Sequence, residues 1–278
     1  MHDVEIGTST FGTLLRRWRE TRRMSQLELG LEATVSARHI SFIETGRSKP
    51  SREMIVSLAN VLDLALRDRN EMLLSAGFAP IYRETSLNDP QMAQVRQALE
   101  LILKRQEPFG AIVFDLHWNL IMANEGYCAI AALILDQENK ITPYAIMSPP
   151  QINLIKLLFD PQGWRPFIVN WEEVAKIMLK RLYRQTLWEQ DLAAQQLLET
   201  VLRYPGVSSK WREPNANSSQ ELVIPLVLSL GDYQLSLFST IASLGSPQDI
   251  TLQELHIEAF HPANKETEEI VHTLMRQK

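Results

Sequence analysis

Residues Ser25 to Pro50, SQLELGLEATVSARHISFIETGRSKP, constrain the fold more tightly than any other stretch of the chain. They read as two short helices joined by a tight turn and followed by a basic loop. Ser25 is placed to cap the first helix, and Glu28, three residues on, to reach back to it as a capping box. Leu27, Leu31 and Gly30 are predicted to face a partner helix, with Gly30 small enough to admit it closely. Thr34-Val35-Ser36 makes the turn, Val35 entering as a wedge and Ser36 capping the second helix. In that helix Ile40 and Ile43 point inward, which leaves Ala37, Arg38, Ser41 and Phe42 on the outer face. A short protruding helix with one guanidinium and several small side chains suits a DNA major groove.

Helices flank this pair. Phe11, Leu14, Leu15 and Trp18 recur at helical spacing as a core stripe, and Arg16, Arg17, Arg19, Arg22 and Arg23 are assigned to the opposite face. Ser51 caps a helix with Ile55, Leu58, Ala59 and Leu62 inward, and a last helix near Arg67 to Ala76 stops at Gly77. Five helices therefore make an all-α domain over residues 1–78, with the first ten residues a loose arm. Ala79 to Pro90, bracketed by two prolines, is predicted as a linker over residues 79–90. The formal net charge of −5 hides an asymmetry. Residues 8–53 carry nine Lys/Arg against five Asp/Glu, whereas residues 79–278 carry seventeen against twenty-three. A basic head on an acidic body touches phosphates with one end only, and its modest surplus calls for dimerisation.

Residues 91–278 read as a second domain. Gln91 to Arg105 forms a connecting helix with Met92, Val95, Leu99 and Leu103 on one face, placed as a lever between linker and sheet. Two strand-like runs, Gly110 to Leu116 and Asn119 to Asn124, form a hairpin around His117-Trp118. A helical stretch follows from Glu125 to Leu135, and long helices are predicted at Trp171 to Gln190 and Asp191 to Tyr204. Strands at Glu221 to Leu230, Tyr233 to Ile241 and Leu255 to Phe260 complete a sheet, with Gly231-Asp232 as a two-residue hairpin loop. Asn264 opens a final helix. Loop composition marks Met147 to Pro150, Asp160 to Pro166 and Ser208 to Gln220. The fold class is thus α+β overall. A single cysteine, Cys128, excludes an internal disulfide and fits a reducing cytoplasm. No apolar run approaches the roughly 20 residues of a membrane span, and no signal-peptide core opens the chain.

The first domain resembles the helix-turn-helix of the XRE, phage-repressor-like family. Gln26 stands at that family's characteristic place, and Ile43-Glu44-Thr45-Gly46-Arg47-Ser48-Lys49-Pro50 resembles its LExGxxxP ending. Thr34 departs from it, occupying a turn position that family members give to glycine, where a side chain at positive φ is strained. In the second domain the motifs are Glu107-Pro108-Phe109, Trp118 to Asn124, Trp164-Arg165-Pro166-Phe167, Asn170-Trp171-Glu172-Glu173, Tyr204-Pro205-Gly206, Ser246 to Leu252 and Phe260 to Ala263. Together they resemble the MmyB-like ligand-binding domain, a PAS-like antiparallel sheet with covering helices. The resemblance implies a regulator whose cavity accepts an apolar, fatty-acid-like ligand. It needs no other cofactor.

Candidate sites follow. Double-stranded operator DNA is expected to meet Gln26, Ser36, Ala37, Arg38, Ser41, Phe42, Arg47, Lys49 and Arg52. Arg38 would fork onto a guanine, Ala37 or Phe42 would touch a thymine methyl, and Arg47, Lys49 and Arg52 would hold the backbone. Ligand-binding candidates are Phe114, Trp118, Met122, Asn124, Trp164, Arg165, Phe167, Asn170 and Trp171. Arg165 is the candidate carboxylate anchor, the competing reading being an ion pair with Glu172 or Glu173. His256 and Glu258 share one strand face with His261 beyond, but without the companion ligands of a metal site. No paired nucleophile and base, GxSxG or phosphate loop is present, so an enzyme is not indicated. A homodimer without membrane attachment is expected. A second domain that is a ligand-free dimerisation or protein-interaction module remains the alternative.

Overall fold

The computed structural model describes residues 10–134, 142–146, 152–189, 191–212 and 224–276. The predicted N-terminal arm, the Met147 to Pro150 loop, most of the Ser208 to Gln220 loop and the start of the Glu221 strand lie outside the described residues. Two units are distinguished, one comprising residues through Thr85 together with Ser246–Gln253, the other Ser86–Gly245 and Glu254–Lys278. No helix among the described residues is long and apolar enough to cross a membrane.

The first unit contains α1 (Phe11–Thr21), α2 (Gln26–Glu32), α3 (Ala37–Glu44), α4 (Arg52–Val61) and α5 (Leu66–Ser75). The Ser25–Glu28 capping box forms in both directions, and Ser36 and Ser51 cap α3 and α4 through the amides of His39 and Met54. Phe11, Leu14, Leu15, Trp18, Ile40, Ile43, Ile55 and Leu58 share one core. The register of α2 differs from the sequence reading. Leu29 and Ala33 are buried, while Leu27 and Leu31 are 60% and 71% exposed. Only one of the three leucines, Leu29, joins the shared core. Gly30 also lies inward, and a Cβ there would sit 2.5 Å from the Val35 carbonyl oxygen.

Thr34 turns the chain at φ 59°, the left-handed conformation its position demands. That conformation costs a side-chain-bearing residue about 1–2 kcal/mol, and glycine's looser unfolded chain returns part of the gain. Thr34→Gly is therefore expected to stabilise the unit by about 0.5–1 kcal/mol. A calorimetric melt that fell instead of rising would mean that the threonine makes a compensating contact.

Residues 79–85, read from sequence as linker, pack within this unit. The Asn70 side chain accepts from the amides of Ile81 and Tyr82 and donates to the Tyr82 carbonyl. Segment Ser246–Gln253 joins them and carries the start of α11 (Ile250–Glu254). The Asp249 carboxylate accepts the Thr85 hydroxyl at 2.7 Å and the Thr251 amide at 2.9 Å. The Ile250 amide donates to the Arg83 carbonyl, and the Gln253 side chain receives the Leu66 amide at the start of α5.

The second unit is built on a five-stranded antiparallel sheet in the order β2-β1-β5-β4-β3. Its strands are β1 (Ala111–Phe114), β2 (Leu120–Ala123), β3 (Leu226–Leu230), β4 (Tyr233–Ser243) and β5 (His256–Pro262). Gly231, at φ 60°, turns the β3–β4 hairpin. Helices α6 (Ala93–Arg105), α7 (Glu125–Ala131), α8 (Leu154–Phe159), α9 (Trp171–Glu189), α10 (Leu192–Leu202) and α12 (Lys265–Arg276) complete it. α8 is an element the sequence reading did not anticipate.

Register decides which side chains meet. Glu258 of β5 lies opposite Ile112 of β1 and Ile241 of β4, and Phe260 lies opposite Ser239. Because side chains alternate faces along a strand, Glu258 and Phe260 share a face with these neighbours. The core against the sheet includes Ile155 and Phe159 of α8, Ala175, Leu179 and Leu182 of α9, and Leu197 and Val201 of α10.

Candidate functional site

On α3, Arg38 and Phe42 stand one turn apart and stack, the guanidinium carbon 5.2 Å from the ring centroid. Arg47 approaches the same ring at 6.0 Å. Arg38, Arg47, Lys49 and Arg52 are all exposed, and the first turn of α3 contains no acidic residue. The shared aromatic platform pre-extends two cations and reduces the side-chain entropy lost on contact with a polyanion. Ala37 and Ser41 flank the stack and are half-buried.

Behind this face lies a polar network. Arg19, assigned from its spacing to a solvent-facing basic stripe, is buried instead. Its guanidinium grips the Glu44 carboxylate with both Nε and Nη2, at 2.6 and 3.0 Å. The Met24 carbonyl accepts from Nη1. Gln26, expected to meet operator DNA, gives its side-chain amide to Glu44 at 2.8 Å. Three helices are thereby tied at one carboxylate, and the Glu44 hydrogen bond holds Arg19 above its ordinary pKa.

The second unit contains a cavity of about 250 Å³ between the sheet and α8–α9. Leu154, Ile155, Leu157 and Leu158 line it from α8, and Val174, Ile177, Met178 and Arg181 from α9. The sheet supplies Ile112, Leu226, Leu237, Ser239, Ile241, Glu258 and Phe260. Trp118, Tyr127 and Trp164 close it, and Tyr127 stacks on Trp164 at 5.6 Å between centroids.

The lining of this apolar space includes two ionisable groups, Arg181 and Glu258. The Arg181 guanidinium lies 4.6 Å over the Trp118 ring, and among the described residues nothing accepts a hydrogen bond from it or ion-pairs with it. Burial lowers its pKa, opposed by the charge of Glu258. Burial likewise pushes the Glu258 carboxyl up, against the pull of the Ser239 hydroxyl and of Arg181. Glu258 is half-buried and lines the cavity. Trp118 has φ 66°, and the Asp115 carboxylate receives the amides of His117 and Asn119 on either side of it. A strained turn thus presents the ring on which Arg181 rests.

Of the nine ligand-binding candidates read from sequence, Trp118 and Trp164 border the cavity. Phe114 is buried and stacks on Trp118 at 4.9 Å, and Met122 is fully buried in β2. Asn124 is structural. It caps α7 through the Tyr127 amide, accepts the Ala111 amide, and donates to the carbonyls of Leu103 and Phe109. Asn170 ties α9 to β3 by accepting the Val227 amide and donating to the Pro225 carbonyl. Phe167 packs against the core edge. Trp171 donates to the Leu158 carbonyl at 3.0 Å. Arg165 lies 3.7 Å over the Trp171 ring and donates to the Pro205 carbonyl, and among the described residues it makes no ion pair with Glu172 or Glu173. Glu172 pairs with Lys176 at 2.6 Å.

A family model for the MmyB-like transcription regulator ligand binding domain matches residues 95–274, and one for a helix-turn-helix domain matches residues 10–72. No curated protein matches the chain.

Proposed function

This chain belongs to the MmyB-like transcription regulators, and we propose that it reads an operator as a homodimer through α3 and senses a fatty-acid-like molecule in the α8–α9 cavity. It is a helix-turn-helix DNA-binding regulator with a ligand-binding domain. Arg181 carries the finer reading. A half-buried guanidinium in the lining of an apolar cavity, without a hydrogen-bond acceptor among the described residues, is costly, and an acyl carboxylate would satisfy it bidentately. The aliphatic lining from α8 and α9 would then bury the chain, each methylene contributing about 0.8 kcal/mol.

The route from cavity to DNA is covalent. β4 and β5 supply Ser239, Ile241, Glu258 and Phe260 to the cavity, and the segment connecting those two strands folds with the DNA-binding unit. A ligand that re-spaces β4 and β5 acts on both ends of that segment, provided it favours one arrangement over the other. The chain also passes from one unit to the other between Thr85 and Ser86, ahead of α6.

Operator sequences selected from a randomised DNA pool test both halves. Decanoate is expected to change operator affinity, with decanol as the head-group control. Arg38→Ala is expected to relax preference at one base pair, at a cost of about 1–3 kcal/mol. Lys49→Ala is expected to weaken all sequences alike and to flatten the salt slope by about one. An Arg38→Ala protein that ranked all operator variants as the wild type does would place the reading face elsewhere. Operator affinity indifferent to decanoate and to longer acyl chains would leave the second domain as an interaction module.

A further inference from the structure

We propose that the cavity is proton-coupled: an anionic acyl ligand seated on Arg181 drives uptake of one proton at the carboxyl pair it forms with Glu258. The inference rests on the carboxylate-sensing reading above and concerns how that site is regulated. Its basis is geometric. One guanidinium and one carboxyl, Arg181 from α9 and Glu258 from β5, line the same small apolar space. Whenever Glu258 is ionised before ligand binds, its charge and that of the Arg181 guanidinium act on each other across the cavity lining. A ligand carboxylate makes two acids to one guanidinium, and two enclosed carboxylates cannot both stay ionised in a low-dielectric site. One proton then belongs to the pair rather than to either member, and the Ser239 hydroxyl is at hand to accept from a protonated Glu258.

The remaining titratable neighbours do not produce the same effect. His256, two residues along β5, is kept below its ordinary pKa by burial and by Arg181, so it is uncharged from neutrality upward. Tyr127 of α7 is fully enclosed and its phenol is pushed far above its ordinary value. Asp115, at the end of β1, acts on His256 and not on Glu258. Arg181 is influenced by Glu258 and Arg184, and a guanidinium keeps its proton throughout the accessible range. An alkaline limb in ligand affinity is therefore assigned to Glu258. The sign is set by linkage: the bound state holds the extra proton, so affinity is highest at low pH and declines as pH rises through the value of the occupied pair.

Calorimetric titration of the full-length protein with sodium decanoate, in buffers of different ionisation enthalpy, counts the protons directly. The range from about pH 6 to about pH 9 keeps free decanoate ionised, so protons taken up enter the complex. Up to one proton per decanoate is expected, with affinity falling by up to about tenfold per pH unit on the alkaline side. Glu258→Gln should bind decanoate without proton uptake and with a flat alkaline limb, and decanol should show neither effect on wild-type protein. Binding of decanoate with no proton uptake anywhere in the range would overturn the coupling while leaving the anchor intact. An alkaline limb that persists in Glu258→Gln would overturn the assignment. Failure of wild-type protein to bind decanoate at all would remove the carboxylate-sensing reading, and this inference with it.

Discussion

Replacing Arg181 with methionine is expected to weaken decanoate binding by about a hundredfold while leaving decanol binding within about threefold of wild type. The magnitude follows from the bonds lost. A charge-assisted pair in an enclosed site contributes about 3 kcal/mol, and each 1.4 kcal/mol is a factor of ten in affinity. Decanol makes the same apolar contacts with α8 and α9 but has no anionic head. Methionine keeps most of the arginine stem's volume, so the Trp118 face stays covered. The variant should fold, because Glu258, already pushed up by burial, takes a proton when its counter-charge is removed. Calorimetry on both ligands reads the difference, and circular dichroism checks the fold. Equal loss for decanoate and decanol would mean that Arg181 shapes the cavity instead of gripping a head group. No loss for decanoate would remove Arg181 from the anchor role and leave Ser239 and Glu258 as the polar lining available to a head group.

Much of the first unit was legible because its signals are local. Ser25, Ser36 and Ser51 each precede a helix and bond an amide three residues on, a geometry that depends on the backbone alone. The register of α2 was not legible for the converse reason. Leucines occur at residues 27, 29 and 31, and either face of a seven-residue helix satisfies a periodicity argument until the packing against α3 and α4 chooses one. Arg19 was misplaced similarly. Its neighbours Arg16 and Arg23 are exposed, and only the fold brings Glu44, twenty-five residues away, against it.

The cavity shows the same division. Aromatic and asparagine motifs drew the sequence reading to Phe114, Met122, Asn124 and Asn170, residues that pack or cap. Aliphatic residues of α8 and α9 form much of the wall instead. Two signals did point there. Val174, Ile177, Met178 and Arg181 fall on one helical face, so a cation intrudes on an apolar stripe. His256, Glu258 and Phe260 alternate along one strand face, which places an acid beside an aromatic. The two residues that break the patterning, Arg181 and Glu258, both line the cavity, and local inconsistencies of this kind are what sequence patterning leaves to function. The excursion of Ser246–Gln253 into the first unit has no periodic signature, because it depends on Asp249 and Gln253 meeting backbone groups supplied by Thr85 and Leu66.

Glu44→Ala is expected to destabilise the DNA-binding unit strongly. Glu44 and Arg19 side chains are 3% and 10% exposed, and the carboxylate also receives Gln26. Removing it leaves a buried guanidinium with the Met24 carbonyl as its remaining hydrogen-bond acceptor among the described residues. Breaking one side of such a pair costs about 3–5 kcal/mol. A domain of this size lowers its melting temperature by about 4–8 °C per kcal/mol, so a fall of roughly 12–40 °C is expected. Operator binding should disappear with it, because the network anchors the helix that carries Arg38. Arg19→Met combined with Glu44→Leu separates charge from packing. Replacing both partners by apolar side chains of similar volume is often neutral or stabilising, so the double variant should regain most of the lost stability and, with α3 still seated, operator binding. Differential scanning calorimetry and operator titration on the three proteins decide the matter. A Glu44→Ala protein melting within about 1 kcal/mol of wild type would show that the network is not what seats α3. A double variant that is stable yet fails to bind the operator would show instead that Arg19, Glu44 or both also set the angle at which α3 is presented.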